Sequence, residues 1–489
     1  MSAPGPDAPV AVVGAGPVGL MLAGELRLGG AEVVVLERRE TPTTESRAST
    51  LHARTMEILD SRGLLERLGE PPNQPRGHFG GIPLDLTTPG RHCGQWKVPQ
   101  TTTERLLAEW ATGLGAEVRR GWTVRDVVDD GDGVLVVGES GRRLRAGYVV
   151  ACDGQHSTVR KVVRAAFPGL PGTRRLVRAD VAGVDVPDRR FQRLDAGLAI
   201  AARAGNGVTR VMAHEFGSAP AAAPDFAQVV ALWRRITGED ISGGEPLWIN
   251  SFDDANRQLE RYRHGRVLFA GDAAHVQLPA GGQALNLGLH DAVNLGWKLA
   301  AVVRGHAPDG LLDTYHDERH AVGRRVLANI RAQALLLLGD RSVEPVRALL
   351  AELIATEPVR ALLAGMISGV DVHYPPGGTG GSPPAGGYLP ELALTTATGT
   401  TTTTALLRTG RGLLLDLTDG GRLRDAAAPW ADRVTAVAGR PDPAPGAAGL
   451  LVRPDGHVAW AGADPDGARA ALGRWFGTGR PPHQPREGD

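Results

Sequence analysis

Only two cysteines, Cys93 and Cys152, occur in 489 residues. Standing so far apart, they supply neither a disulfide framework nor the paired spacing of a zinc or CxxC redox site. A reducing compartment follows, and the cytoplasm is the expected location. Lysine is nearly as scarce, because Lys97, Lys161 and Lys298 are the only three and almost all positive charge is arginine. A surplus of either sign is missing as well, since 54 Lys and Arg balance 54 Asp and Glu. Nucleic-acid binders and membrane-surface proteins usually carry a basic excess, so neither partner is expected. No run of 18 or more apolar residues occurs, and the opening MSAPGPDAPVAVVGAG has neither a basic start nor a long apolar stretch. No membrane span or export signal is therefore expected. With 9 Trp, 5 Tyr and 8 Phe, a pocket for a flat ring must lean on aliphatic walls.

Glycine and proline are what the chain has in abundance, at 66 and 35 residues, well above average usage of roughly 7% and 5%. Loops should be plentiful. A hydrophobic fraction of 42% and a charged fraction of 22% still provide for packed cores. The length suits two or three domains better than one.

Val10–Val13 and Glu32–Leu36 are Val-rich runs separated by a glycine-rich turn and a segment with Leu22 and Leu26 at helical spacing. This reads as a β-turn-α-β unit. From Thr103 to Asp153 come a helix carrying Leu106, Leu107 and Trp110, then strands near Glu117, Val124–Val128, Val134–Val137 and Tyr148–Ala151. Between Pro171 and Asp253 the texture becomes alternating and arginine-laced, as antiparallel strands require. An α/β pattern returns with a strand at Val267–Phe269 and helices over Ala284–Val303 and Tyr315–Leu338. Tyr374–Gly387 reads as a linker, and the run Thr400–Thr404 as exposed low-complexity chain. The tail beyond it reads as an α/β module of about 100 residues.

Gly14, Gly16 and Gly19 form GAGPVG between a strand and a helix, with Pro17 and Val18 inside the loop. The glycines permit a tight turn, close approach of a pyrophosphate, and close helix–strand packing, respectively. Glu37 ends the second strand 21 residues after Gly16, placed to bind ribose hydroxyls. The motif alone leaves FAD and NAD open, while the acid disfavours a 2′-phosphate. Two further segments narrow the choice. YVVACDGQHSTVR ends a strand at Asp153-Gly154 and continues to Arg160. RVLFAGDAAHVQLPAGGQALN ends a strand at Gly271-Asp272 and adds a second glycine turn, Pro279 to Asn286.

These three motifs, in this order, resemble the class A FAD-dependent aromatic hydroxylases, and the resemblance runs over nearly the whole chain. LAGELRLGGAEVVVLER, ARTMEILDSRGLL, HFGGIPLD, VPQTTTERLL and LLVRPDGHVAW are most similar to actinomycete hydroxylases of aromatic polyketides, of angucycline and anthracycline type. The resemblance implies the para-hydroxybenzoate hydroxylase fold: a Rossmann-like α/β FAD-binding domain (1–75, 100–170, 255–340), and a middle antiparallel-sheet substrate domain (76–99, 171–254). A helical segment and linker (341–387) and a thioredoxin-like α/β domain (388–489) without redox cysteines complete it. It implies FAD held tightly but without a covalent bond. NAD(P)H, with NADPH the expected form, serves as a transient cosubstrate. The flavin C4a-hydroperoxide formed with O₂ then hydroxylates a polycyclic aromatic polyketide in antibiotic biosynthesis. No second dinucleotide fingerprint is present for the nicotinamide; the glycine stretch Gly377–Gly381 has no strand before it.

Carried onto this chain, the resemblance gives Arg38, Arg47, Gln100, Val124, Asp153, Gly154, Arg160, Gly271 and Asp272 as FAD contacts. Pro279, Gly281 and Gly282 shape the reaction site, with Gln283, Ala284, Leu285 and Asn286 completing the turn. His52, His78 and His275 are candidate substrate bases, and His52, His78, Phe79, Trp96 and Met212 candidate substrate contacts. No metal is expected, and a monomer or homodimer is. Ala284 replaces the usual last glycine of the turn. If that position is helical, alanine fits; if it needs positive φ, alanine costs roughly 1 kcal/mol or more. Ala284 also keeps a Baeyer-Villiger or oxidase variant in view. Flavin-dependent inactivation of a rifamycin- or tetracycline-type antibiotic is the other alternative.

Overall fold

A computed structural model describes residues 7–44, 48–204, 207–218, 224–375, 384–418 and 420–480. Arg47 and the glycine stretch Gly377–Gly381 lie outside the described residues. The first core is a sheet whose central strands run parallel in the order Val267–Phe269, Arg143–Ala151, Ala8–Val13, Val33–Leu36 and Glu117–Arg119. Strands Val124–Asp129 and Val134–Gly138 extend Arg143–Ala151 as an antiparallel flap. Val10–Val13 is buried on both faces, as its unbroken Val/Ala run demands of a central parallel strand. Helices Pro17–Leu28, Gln100–Gly113 and Gln283–Val303 cover the sheet. Gly14, Asp153 and Gly271 therefore emerge at the carboxyl ends of three neighbouring parallel strands, where open α/β sheets bind ligands.

Residues Arg175–Ala182, Arg189–Arg193, Gly197–Ala204, Val208–Glu215 and Glu245–Asp253 form a separate five-stranded antiparallel sheet. Side chains alternate between its faces. Val177, Ala179, Val181, Ala201 and Val211 point to the helix Phe226–Thr237. Alternation in the flanking strands hid this helix from the sequence reading, although Asp225 and Gln228 form a capping box at its start. Leu176, Leu198, Met212 and Phe252 point the other way, toward Leu278, Ala280 and the long helix Asp313–Leu338.

Residues 76–99, expected with the middle domain, contribute no strand to that sheet. The hairpin Arg76–Phe79 and Ile82–Asp85 packs instead on the helices Glu344–Ile354 and Glu357–Ser368, while Gln95–Lys97 pairs with Thr50–His52.

The tail forms a four-stranded sheet in the order Val434–Ala438, Gly412–Asp416, Gly449–Val452, Val458–Ala461, backed by the helix Pro465–Phe476. This is the thioredoxin-like domain, and both cysteines lie far upstream of it. Its threonine run is ordered rather than loose. Gly399–Thr402 is a strand, Thr402 caps the helix Thr403–Leu407, and Thr403 is 1% exposed with its hydroxyl donated to Pro390 O at 3.1 Å. Short β-branched hydroxyl residues suit both a strand and an N-cap, which low complexity concealed.

A buried charge cluster fastens this domain to the first one. Arg453 donates to both Glu318 oxygens at 2.6 and 2.9 Å and to Asp455 Oδ1 at 3.0 Å. Asp455 also accepts from Trp297 Nε1 at 3.2 Å, and Lys298 Nζ donates to Glu318 at 2.8 Å. Burial alone would raise the Glu318 carboxyl, but Arg453 and Lys298 outweigh it and hold it at about 2.

Candidate active site

The carboxyl ends of the parallel strands open onto a cavity of about 270 Å³ lined by Gly14–Gly16, Glu37, Arg38, Gln100, Trp122–Val124, Asp153 and Gly154. Gly14 has φ +107°, and a Cβ there would stand 2.5 Å from Cys152 O. At Gly19 a Cβ would stand 2.0 Å from Gly14 O, so only glycine lets helix and loop close together. Gly16 is different. A Cβ on it would meet nothing within 4 Å, which leaves open space over the start of the helix Pro17–Leu28. Pro17 is the first helical residue and no side chain caps this N-terminus, so its backbone N–H groups face that space. Asp153 adds a buried Oδ1 without a hydrogen-bond partner among the described residues. An extended dinucleotide fits these features.

Glu37 is placed as read from the sequence, but its carboxylate also works within the protein. Oε2 accepts from Ala15 N–H at 2.7 Å and Oε1 from Arg39 N–H at 2.9 Å, which pins the loop's shape. Gln100 Oε1 accepts from Ala48 N–H at 3.1 Å while its Nε2 donates to Glu104. Burial raises the Asp153 carboxyl, with hydrogen bonds from Ser157 and Val159 N–H opposing it. Val18 packs against Gly271, where a Cβ would meet it at 3.0 Å. Arg160, expected on the cofactor, does not line the cavity. Its guanidinium donates to Ala273 O at 2.9 Å and Gln155 O at 2.5 Å and lies over Phe167, so it joins the second motif to the third.

Asp272 is exposed in the short turn Gly271–Ala273. The chain then reaches the second glycine turn. Gly281 and Gly282 have φ +63° and +71°, and Gln283 begins the helix Gln283–Val303 without a side-chain cap. Ala284 and Leu285 lie in its first turn. Ala284 is thus in the helical setting that suits alanine. Ala284→Gly should cost about 0.5–1 kcal/mol of stability while leaving flavin binding intact, which paired thermal melts and flavin absorbance would show. Asn286 locks the turn: it accepts from His52 N–H at 2.9 Å and Thr55 Oγ1 at 2.7 Å, and donates to Gly282 O and Thr50 O.

The histidines need correction as substrate bases. His275 is fully buried, with Nε2 at 2.8 Å from Asp291, in a cluster that includes Arg319. His52 lies behind the turn and donates Nε2–H to Gly281 O at 2.8 Å. Burial pushes it down to about 4, against the opposing pull of the Gly281 carbonyl. His78 accepts Gly81 N–H on Nδ1 at 3.2 Å, stacks on Phe191, and is pushed to about 3 by burial, with Arg190 and Lys97 adding to it. Neither is basic enough to take a phenol proton near neutrality.

Both histidines lower acid stability. In the unfolded chain they protonate near 6.5, so below that pH the unfolded state binds more protons and is favoured. Their contribution is complete above pH 6.5 and is lost as pH falls toward 4. Each should cost about 2 kcal/mol by pH 5. A melting temperature that drops between pH 7 and 5, and drops less in His78→Gln, is the expected result.

Phe79 also needs correction. It is buried against Leu336 and Ile354 under the hairpin rather than on a pocket wall. Trp96 donates Nε1–H to His92 O and packs on the first core. Met212, by contrast, shares a cluster with Leu278 and Ala280, on either side of Pro279. Pro279 itself is exposed.

Lys97 was missed. Its Nζ lies 3.3 Å from Thr50 Oγ1, and Thr50 is the side chain a Cβ on Gly282 would meet at 3.1 Å. Burial and Arg190 lower its pKa. Only strand pairing between Thr50–His52 and Gln95–Lys97 brings it there, and no sequence spacing announces that. Asn250 was missed likewise; it pairs with Arg178 across the middle sheet and keeps a buried Oδ1 without a partner among the described residues.

A dinucleotide cleft at the strand ends, a second glycine turn opening a helix, and an apolar sheet face packed on that turn define a flavin-dependent aromatic hydroxylase. The FAD binding domain model matches residues 7–330, and the aromatic-ring hydroxylase C-terminal model matches 382–479. The chain belongs to the FAD binding domain family and is an FAD-dependent monooxygenase. A rifampicin monooxygenase from Streptomyces venezuelae is 44% identical, the match covering 96% of this chain and 98% of the relative. CabE, an aromatic hydroxylase from angucycline biosynthesis, is 48% identical with a TM-score of 0.92 over 97% of this chain and 100% of that one. OxyS, the anhydrotetracycline hydroxylase of Streptomyces rimosus, is 42% identical with a TM-score of 0.90 over 96% and 99%. Among the described residues no helix is long and apolar enough to cross a membrane, and no three or more His, Cys, Asp or Glu side chains gather as metal ligands would.

Proposed function

We propose that the protein hydroxylates a polycyclic aromatic polyketide, with NADPH and O₂ as cosubstrates. One observation carries this reading: the glycine turn Pro279–Gln283 opens the helix Gln283–Val303 with uncapped amides, and its Ala280 packs with Leu176, Met212 and Phe252 of the middle sheet. FAD supplies the oxygen-activating redox chemistry when bound. Gly14, Gly16, Gly19, Glu37, Arg38, Gln100, Val124, Asp153, Gly154, Gly271 and Asp272 would hold the dinucleotide, and the backbone of Gly281–Leu285 would meet its ring. Uncapped amides at the start of the helix Gln283–Val303 would favour negative charge on a group bound against them. The aliphatic core that the sheet face forms with Leu278, Ala280 and the helix Asp313–Leu338 backs the turn and keeps water from that side.

Lys97 favours the phenolate form of the substrate, because a partly desolvated cation lowers the pKa of a neighbouring acid. Lys97→Met should lower kcat/KM about 10- to 100-fold and move the acid limb of its pH profile upward by about one unit. A profile that falls without moving would assign Lys97 to structure alone.

The substrate is tested by measuring NADPH oxidation and product mass with an angucyclinone, anhydrotetracycline and rifampicin side by side. The angucyclinone or anhydrotetracycline should give a product heavier by one oxygen. The relation to a rifampicin monooxygenase favours a second reading, antibiotic inactivation. Resistance conferred on a sensitive host by expression of this chain would select that reading.

A further inference from the structure

We propose that His52 is a positioning residue for the flavin: its Nε2–H fixes the Gly281–Gly282 peptide in the orientation that turns N–H, and not C=O, toward the ring. This rests on the placement of the ring against Gly281–Leu285 given above. Gly281 and Gly282 both sit in the left-handed region, at φ +63°, ψ +9° and φ +71°, ψ +17°. The peptide between them is flanked by two residues without a Cβ, so it can turn over by rotating ψ of Gly281 and φ of Gly282 in concert. Turned over, Gly281 would occupy backbone space open only to glycine. Local sequence therefore leaves the orientation open, and a tertiary contact must choose it.

His52 makes that choice. Its Nε2 lies 2.8 Å from Gly281 O, and a carbonyl only accepts, so the neutral ring carries its proton on Nε2. Nδ1 meets no partner among the described residues, and nothing draws the proton to that side. His52 is fully buried, so water does not compete for its N–H. The residue is held in turn: its backbone N–H donates to Asn286 Oδ1 at 2.9 Å, and Asn286 Nδ2 donates to Gly282 O at 2.8 Å. Both glycine carbonyls thus point to protein donors. Across a trans peptide the N–H points opposite to the C=O, so the amides of Gly282 and Gln283 face the other way. Gly282 N–H reaches Pro279 O only at 3.4 Å, beyond the usual range, and Gln283 begins its helix without a side-chain cap. Reduction gathers negative charge on the ring. Amide N–H groups favour that form, whereas a peptide turned over would set a carbonyl oxygen against it.

The test is the midpoint potential of the bound flavin, read by equilibrium reduction against a reference dye with no substrate present, alongside FAD affinity by fluorescence titration. His52→Leu keeps bulk and loses the donor. It should weaken binding of reduced relative to oxidised flavin about tenfold, a fall of about 30 mV for a two-electron couple. His52→Gln, whose amide can set an N–H near the place of Nε2, should restore most of that fall. His52→Asn, too short to reach Gly281 O, replaces the leucine variant should that one not fold, with the same fall expected. A role in packing alone would lower affinity for both redox forms equally and leave the potential where it is. An unchanged potential at full flavin occupancy, or a glutamine variant shifted as far as the leucine one, overturns the proposal. Gly282→Val separates this from the placement of the ring. Flavin retained by that variant overturns the placement and the proposal with it; flavin lost there, with the potential of His52→Leu unshifted, overturns the role of His52 alone.

Discussion

Gly282→Val should strip the protein of bound flavin and of activity. A side chain at φ +71° is strained, and a β-branched one more than alanine. The added Cβ would also stand 3.1 Å from Thr50 Cβ and 3.4 Å from His52 Nε2, in a turn that Asn286 ties from both sides. Strain and overpacking together cost about 2–4 kcal/mol, or about 30- to 700-fold in affinity. Flavin absorbance after gel filtration and fluorescence titration with FAD would measure the loss. Since the nearest neighbours of a Cβ at Gly282 are Thr50 and His52 of the first domain, the C-terminal domain should melt as before. Flavin retained at full occupancy would show that the turn does not hold the ring end.

Arg453→Ala should produce the largest loss of stability. Its guanidinium is 2% exposed and separates two buried carboxylates, which would be left facing each other and Lys298 alone. Removing one partner of such a cluster costs about 3–5 kcal/mol. The damage belongs to the domain seam: Asp455 holds Trp297 and Asn294 of the helix that starts at the flavin turn. Thermal melting should show the tail released early, with proteolysis near the linker. Adding Glu318→Gln and Asp455→Asn removes the stranded charges and should restore part of the loss. A triple variant as unstable as the single one would point to lost packing on Trp475 instead.

The glycine motifs were legible in the sequence because glycine declares backbone geometry. Gly14, Gly281 and Gly282 sit at positive φ, and Gly19 sits where a Cβ would strike Gly14 O. Parallel strands were legible as Val-rich runs, since burial on both faces leaves little freedom. Side-chain destinations were not. Arg160 and Phe79 belong to motif segments yet turn toward Ala273 O and Leu336, a choice fixed by tertiary packing. The histidines looked chemical because histidine usually titrates near neutrality, but burial removes that property from His52 and His78. Lys97 looked ordinary until strand pairing set it beside Thr50. The shortage of lysine gives that position more weight: of the three lysines, Lys298 serves the domain seam and Lys97 the turn.

Incubation of the purified holoenzyme with NADPH and an aromatic polyketide under ¹⁸O₂ tests the central claim most directly. One ¹⁸O atom per product molecule, with NADPH consumed in equal amount, is the predicted result. Product carrying oxygen from water, or formed without incorporation of ¹⁸O, would contradict it.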